Sequence, residues 1–65
     1  MLSEQRERVL RLPEVMRTTG LSKSQIYKLQ GEGRFPGRIK IYGASGWLDS
    51  EIQAFIQMAI ERRAG

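Results

Sequence analysis

Cysteine and histidine are both absent from these 65 residues. Without cysteine, neither a disulfide framework nor a thiolate zinc site can support the fold. Without histidine, the usual general base and the commonest metal ligand are missing. Seven carboxylates remain, most of them beside arginines or at expected helix starts, where a solvated structural role explains them. An enzyme is therefore not expected, nor is a cofactor or a metal. Long apolar runs are absent too: nothing approaches the roughly 20 residues of a membrane span. The opening "MLSEQRERVLRL" carries charge where a signal peptide needs an apolar stretch. Secretion is not expected, and the lack of cysteine fits a cytoplasmic location.

Positive charge is what the chain does have. Eleven Lys and Arg against seven Asp and Glu give a net charge of +4 and a pI near 10.1. In so small a chain that balance points to nucleic acid or another anionic partner. A chain of this length buries only about 60% of the surface its unfolded form exposes. One modest core is expected, with no deep substrate cleft.

Residues 1–8, with four charges in "EQRER", read as a flexible tail, and residues 9–65 as one domain. "VLRL" (Val9 to Leu12) suits either a brief strand or the lead into a helix. Pro13 fits a first helical position and Glu14 suits the helix dipole, with Gly20 ending the helix after about Thr18. Ser22 and Gln25 have the spacing of a capping box, and Leu21 and Ile26 that of a hydrophobic staple. A second helix follows and ends near "GEG" (Gly31 to Gly33). From Arg38 to Tyr42 the chain alternates, Ile39 and Ile41 against Arg38, Lys40 and Tyr42, as a half-buried strand does. "GASG" (Gly43 to Gly46) reads as the turn and "WL" as the return strand of a hairpin. Asp49 is expected to cap the last helix. Its buried stripe would be Ile52, Phe55, Ile56, Ala59 and Ile60.

The order helix, turn, helix, hairpin, helix predicts a mainly α fold with a small β-hairpin, a winged helix-turn-helix. With Ile26 and Leu29 facing inward, Ser24 and Lys28 lie on the outer side of the second helix, flanked by Lys23 and Tyr27. Hydroxyls and amines on such a face can reach base edges while nearby cations neutralise phosphate. Arg38 and Lys40 give the hairpin one basic face, suited to the minor groove or the backbone, and Arg34 in the connection can reach a phosphate. The bland alternatives are a solvated helical hairpin and an edge strand protected by its cations. Trp47, Phe35 and Phe55 read as core, and Met58, off the apolar stripe, as an exposed residue or part of a self-association patch. A protein-interaction module with a basic docking face is the rival from another class.

Four pieces in order, "RLPEV", "TGLSKSQIY", "EGRFP" and "GWLDSEIQAF", cover Leu10 to about Ile60. Together they resemble the AlpA family of prophage-type regulators, relatives of MerR-like winged helix-turn-helix domains and of phage excisionases. The resemblance implies a DNA-binding protein of a prophage or integrated element, acting on double-stranded DNA in the bacterial cytoplasm and nucleoid. It implies control of transcription, often of an integrase gene. The related directionality factors imply a second output, bending attachment-site DNA alongside an integrase. By the same resemblance Lys23, Ser24 and Gln25, with Tyr27 and Lys28, would carry recognition, and Arg34, Arg38 and Lys40 would meet the backbone. A domain this small reads few base pairs, so dimerisation or cooperative binding of several copies is expected.

Overall fold

The helix-turn-helix is built from local signals, each visible in the computed structural model, which describes residues 7–63. Helix α1 (Leu12–Thr19) carries Pro13 in its first turn, and Glu14 Oε1 accepts a hydrogen bond from the Arg11 N–H at 3.1 Å. It ends at Gly20, whose φ of 78° is left-handed and costs glycine little; the Gly20 N–H donates to Met16 O at 2.8 Å. The Thr19 hydroxyl donates back to Val15 O and accepts from the Leu21 N–H, bracing the turn. Helix α2 (Lys23–Gly31) then starts with a complete capping box. The Gln25 N–H donates to Ser22 Oγ at 3.2 Å, and the Ser22 N–H donates to Gln25 Oε1 at 2.9 Å.

The end of α2 is fixed by a Schellman motif. The Arg34 N–H donates to Leu29 O and the Gly33 N–H to Gln30 O, with Gly33 left-handed at φ 73°. The Gln30 side chain adds a hydrogen bond to Pro36 O at 3.0 Å. The connection to the hairpin is thereby held on α2, and it delivers Phe35 into the core. There Phe35 meets Phe55 edge to face, ring centroids 4.8 Å apart.

The sheet departs from expectation in two ways. The expected hairpin, β2 (Ile39–Ile41) and β3 (Ala44–Leu48), has a third strand: β1 (Val9–Leu10) pairs antiparallel with β3, giving the order β1-β3-β2. "VLRL" therefore serves as both a strand and a helix start. The turn also lies earlier than "GASG". Ile41 pairs with Ala44, leaving Tyr42 and Gly43 as a two-residue turn with φ of 50° and 82°. Positive φ at both central residues is the type I′ condition, whose twist matches that of the flanking strands. The return strand thus begins at Ala44 rather than at Trp47.

Gly46 explains why β1 can lie so close. A Cβ there would stand 2.5 Å from Val9 Cγ1 and 3.4 Å from Leu10 O. Gly46→Ala is expected to cost about 1–3 kcal/mol, the usual range for overpacking. Urea unfolding would check it, and a Val9→Ala background should recover much of the loss, since residues in contact are not additive. Equal losses in both backgrounds would remove the close approach as the cause.

Helix α3 (Asp49–Arg62) is not capped by Asp49, as the sequence suggested. Leu48 is the N-cap residue and Asp49 the first helical one, its Oδ1 accepting from Gln53 Nε2. The capping oxygens come from Glu7, whose carboxylate accepts from the Ser50 N–H at 3.2 Å and the Ser50 hydroxyl at 3.1 Å; the Asp49 N–H donates to Arg8 O. A carboxylate at a helix N-terminus also suits the dipole. Of the tail expected over residues 1–8, the first six lie outside the described residues, while Glu7 and Arg8 make these contacts.

Leu10, Val15, Ile26, Phe35, Trp47 and Ile52 form the core, with Leu12, Met16, Leu21, Leu29, Phe55 and Ile56 packed around it. The expected staple residues Leu21 and Ile26 both belong to this cluster. The α3 stripe is buried only in part. Ile52 is fully covered and Phe55 and Ile56 half-covered, but Ala59 and Ile60 are exposed, because the helix runs on past the elements that cover its first two turns. Met58 is exposed, as its place off the stripe implied.

Candidate nucleic-acid interface

Placing a side chain on a helix surface is a matter of which face is already used. Ile26 is buried and Leu29 half-buried, so α2 turns Lys23, Ser24, Gln25 and Lys28 outward, and all four are exposed. The first helical turn thus shows solvent a lysine, a hydroxyl and an amide. Gln25 is half committed: its Oε1 serves the capping box, and its amide nitrogen remains to donate outward. Lys28 lies one turn further along and has no ion-pair partner among the described residues.

Tyr27 sits between core and surface, and its ring does more than pack. The Arg38 guanidinium carbon lies 5.9 Å from the ring centroid, within the range of a cation–π contact. A shallow depression lined by Tyr27, Gln30, Gly31, Gly37 and Arg38 runs between α2 and the start of the hairpin. Two residues read separately from the sequence, one on the helix and one at the foot of the wing, are therefore brought together. Lys40, exposed at the centre of β2, pairs with Ser45 across the hairpin.

Arg34 is set apart from this group. It pairs with Glu32 at 3.3 Å on the surface and lines a different hollow, beside Phe55, Met58 and Arg62 on the flank of α3. An exposed pair of this kind is worth about 0–1 kcal/mol, so Arg34 can be drawn to another anion at little cost.

Two further exposed residues, Arg17 and Tyr42, stand near these elements. Arg17 stands in the last turn of α1, where a basic residue reads simply as a complement to the helix dipole. Tyr42 is the third member of the alternating face after Arg38 and Lys40, and it stands wholly in solvent at the wing tip. Its position in the alternation was the available signal; the exposure depended on the turn falling at Tyr42 and Gly43. Trp47 and Phe35, read as core, are buried.

Among the described residues no group of three His, Cys, Asp or Glu is placed to hold a metal ion. No helix among them is long and apolar enough to cross a membrane.

Comparison with known proteins bears on this geometry. A family model described as "Prophage CP4-57 regulatory protein (AlpA)" matches residues 8–60, which contain all three helices but the last residues of α3 and the whole sheet. The chain is 45% identical over 58 residues to the uncharacterized protein ORF88 of Enterobacteria phage P4. That alignment covers 88% of this chain and 66% of the phage protein, so the chain spans about two thirds of its relative. No solved structure matches the chain.

Proposed function

The chain belongs to the AlpA family of prophage regulatory proteins, and from that premise we propose that it is a sequence-specific, DNA-binding transcriptional regulator. Helix α2 enters the major groove with Lys23, Ser24, Gln25 and Lys28, and the β2–β3 wing lies on the backbone or in the minor groove with Arg38 and Lys40. The observation that carries this reading is the contact between Arg38 and Tyr27. It ties the foot of the wing to the exposed helix, which supports a single surface that carries the cations of both. A solvated helical hairpin has no need of that coupling.

Specificity at a genomic site asks for more than one such domain, because each reads few base pairs. Two or more copies therefore act together on DNA, by dimerisation or by cooperative binding to repeated sites.

The test is a binding titration on DNA from the upstream and attachment regions of the source element, with excess nonspecific competitor. One fragment that resists competition supports the proposal, and its position separates promoter control from a role in excision, which strong bending of the bound site would favour. Equal, weak binding to every fragment would sink the proposal and favour a basic docking face for an acidic protein.

Lys28→Ala supplies a finer check. Its side chain is exposed, so the fold should be untouched while specific affinity falls by about 1–3 kcal/mol, as loss of a base contact does. Fluorescence anisotropy on the selected fragment would read this as roughly fivefold to 150-fold weaker binding. Unchanged affinity and selectivity would take Lys28 out of the interface.

A further inference from the structure

Tyr42 carries two burdens at once, and the fold returns nothing for either. Its backbone is left-handed, with φ 50°, a conformation that asparagine or glycine adopts readily and that is uncommon for a bulky residue. Its side chain is 104% exposed, so the ring has no apolar neighbour to shield it from water. An asparagine there would complete an Asn-Gly pair with Gly43, the sequence best suited to a two-residue hairpin turn. Strain of this kind held in place by its surroundings clusters at ligand-contacting sites.

The surroundings narrow what the ligand is. Lys40, exposed on β2, stands two residues before Tyr42. The two strands close directly beneath the tip, where Ile41 pairs with Ala44. A flat, amphipathic ring carried on a narrow two-residue tip, with a cation two residues behind, fits a narrow cleft with anionic rims and apolar walls. The minor groove of DNA has those features: phosphates along the rims, sugar faces on the walls and base acceptors on the floor for a hydroxyl.

We propose that Tyr42 is a DNA-contacting residue of the wing, its ring lying against the sugars of the minor groove and its hydroxyl donating to an acceptor there. This rests on the DNA-binding function proposed above and assigns it a residue outside the set of cations. The ring contributes contact without charge, so its role is separable from theirs.

Tyr42→Asn tests the assignment because its two effects have opposite signs. Thermal unfolding should show a melting temperature equal to or above that of the wild type, since the turn is relieved and no buried contact is lost. Affinity for the selected fragment should fall by about tenfold, in the range that loss of one aromatic contact to nucleic acid produces. The slope of log affinity against log salt should stay as it is, because no phosphate contact is removed. Wild-type affinity in a folded Tyr42→Asn protein overturns the assignment while leaving DNA binding intact, and would turn attention to a protein surface for the tip. A wild-type protein that selects no fragment overturns both.

Discussion

Trp47→Ala is expected to remove about 3–5 kcal/mol of stability. The side chain is completely buried and is the largest of the fully covered core residues. It stands in β3, the central strand, with β1 on one side and β2 on the other, and shares the core with residues of all three helices. A domain of this length has only about 3–10 kcal/mol in total at the usual 0.05–0.15 kcal/mol per residue. One truncation can therefore consume most of it. Each kcal/mol corresponds to about 4–8 °C of melting temperature in a domain this small, and thermal unfolding followed by circular dichroism would show the loss directly. Trp47→Phe is the control. The indole Nε1–H has no acceptor among the described residues, and a buried unpaired donor is itself unfavourable by about 1–3 kcal/mol. Phenylalanine keeps much of the apolar volume and removes that donor, so its loss should be far smaller than that of alanine. A Trp47→Ala protein with the wild-type melting temperature would mean that β3 is not the strand around which the core closes.

Affinity for DNA is expected to fall about 500-fold between 50 and 200 mM salt, a loss of about 3.7 kcal/mol. The figure follows from the proposed interface, in which Lys23, Lys28, Arg34, Arg38 and Lys40 each displace counterions from the duplex, whether at a phosphate or, as for Lys28, at a base edge. Each contributes about −0.9 to the slope of log affinity against log salt. Titrations at four or five salt concentrations give the slope, and a value near −4.5 supports the full set. The two arginines are then distinguishable. Arg38 is held over Tyr27, so Arg38→Ala should reduce the slope by about 0.9 and also loosen the wing from α2. Arg34 is paired with Glu32 away from that contact. If Arg34→Ala leaves the slope unchanged, its place is with Glu32 and four cations remain on the duplex. A wild-type slope near −1 would not be compatible with a wing and a helix on DNA together.

The helix-turn-helix was legible because each of its signals is local. Ser22 and Gln25 satisfy one another three residues apart, and Gly20 needs only its own backbone to end α1. What escaped the sequence was set by residues distant in the chain. Nothing near Val9 announces Leu48 as its partner, and nothing near Asp49 announces that Glu7 supplies the capping carboxylate. The turn was misplaced for a different reason: its first central residue is a tyrosine, so the two-residue signal was incomplete, while the "GASG" glycines drew the turn downstream. Gly46 has another purpose, making room for Val9. On α3, periodicity identifies the apolar side of a helix without telling where the covering elements stop, so Ala59 and Ile60 were expected to be buried and are not. The interface divides along the same line. Outward positions on α2 follow from its buried ones, whereas the meeting of Tyr27 with Arg38 depends on the path of the connection between helix and wing.

The bond between Glu7 and Ser50 spans 43 residues, and β1 likewise waits for β3. During synthesis α1 and α2 emerge with their apolar sides bare, since Trp47 and Ile52, which complete the core, are made later. At about 5–20 residues per second, the interval between Glu7 and Ser50 is about 2–9 s. Between Gly31 and Leu48 the nascent chain holds the segment for α2 but has neither a complete hairpin nor a closed interior. The surface proposed for DNA is therefore complete only once β3 and α3 pair with the earlier segment that holds Glu7 and β1.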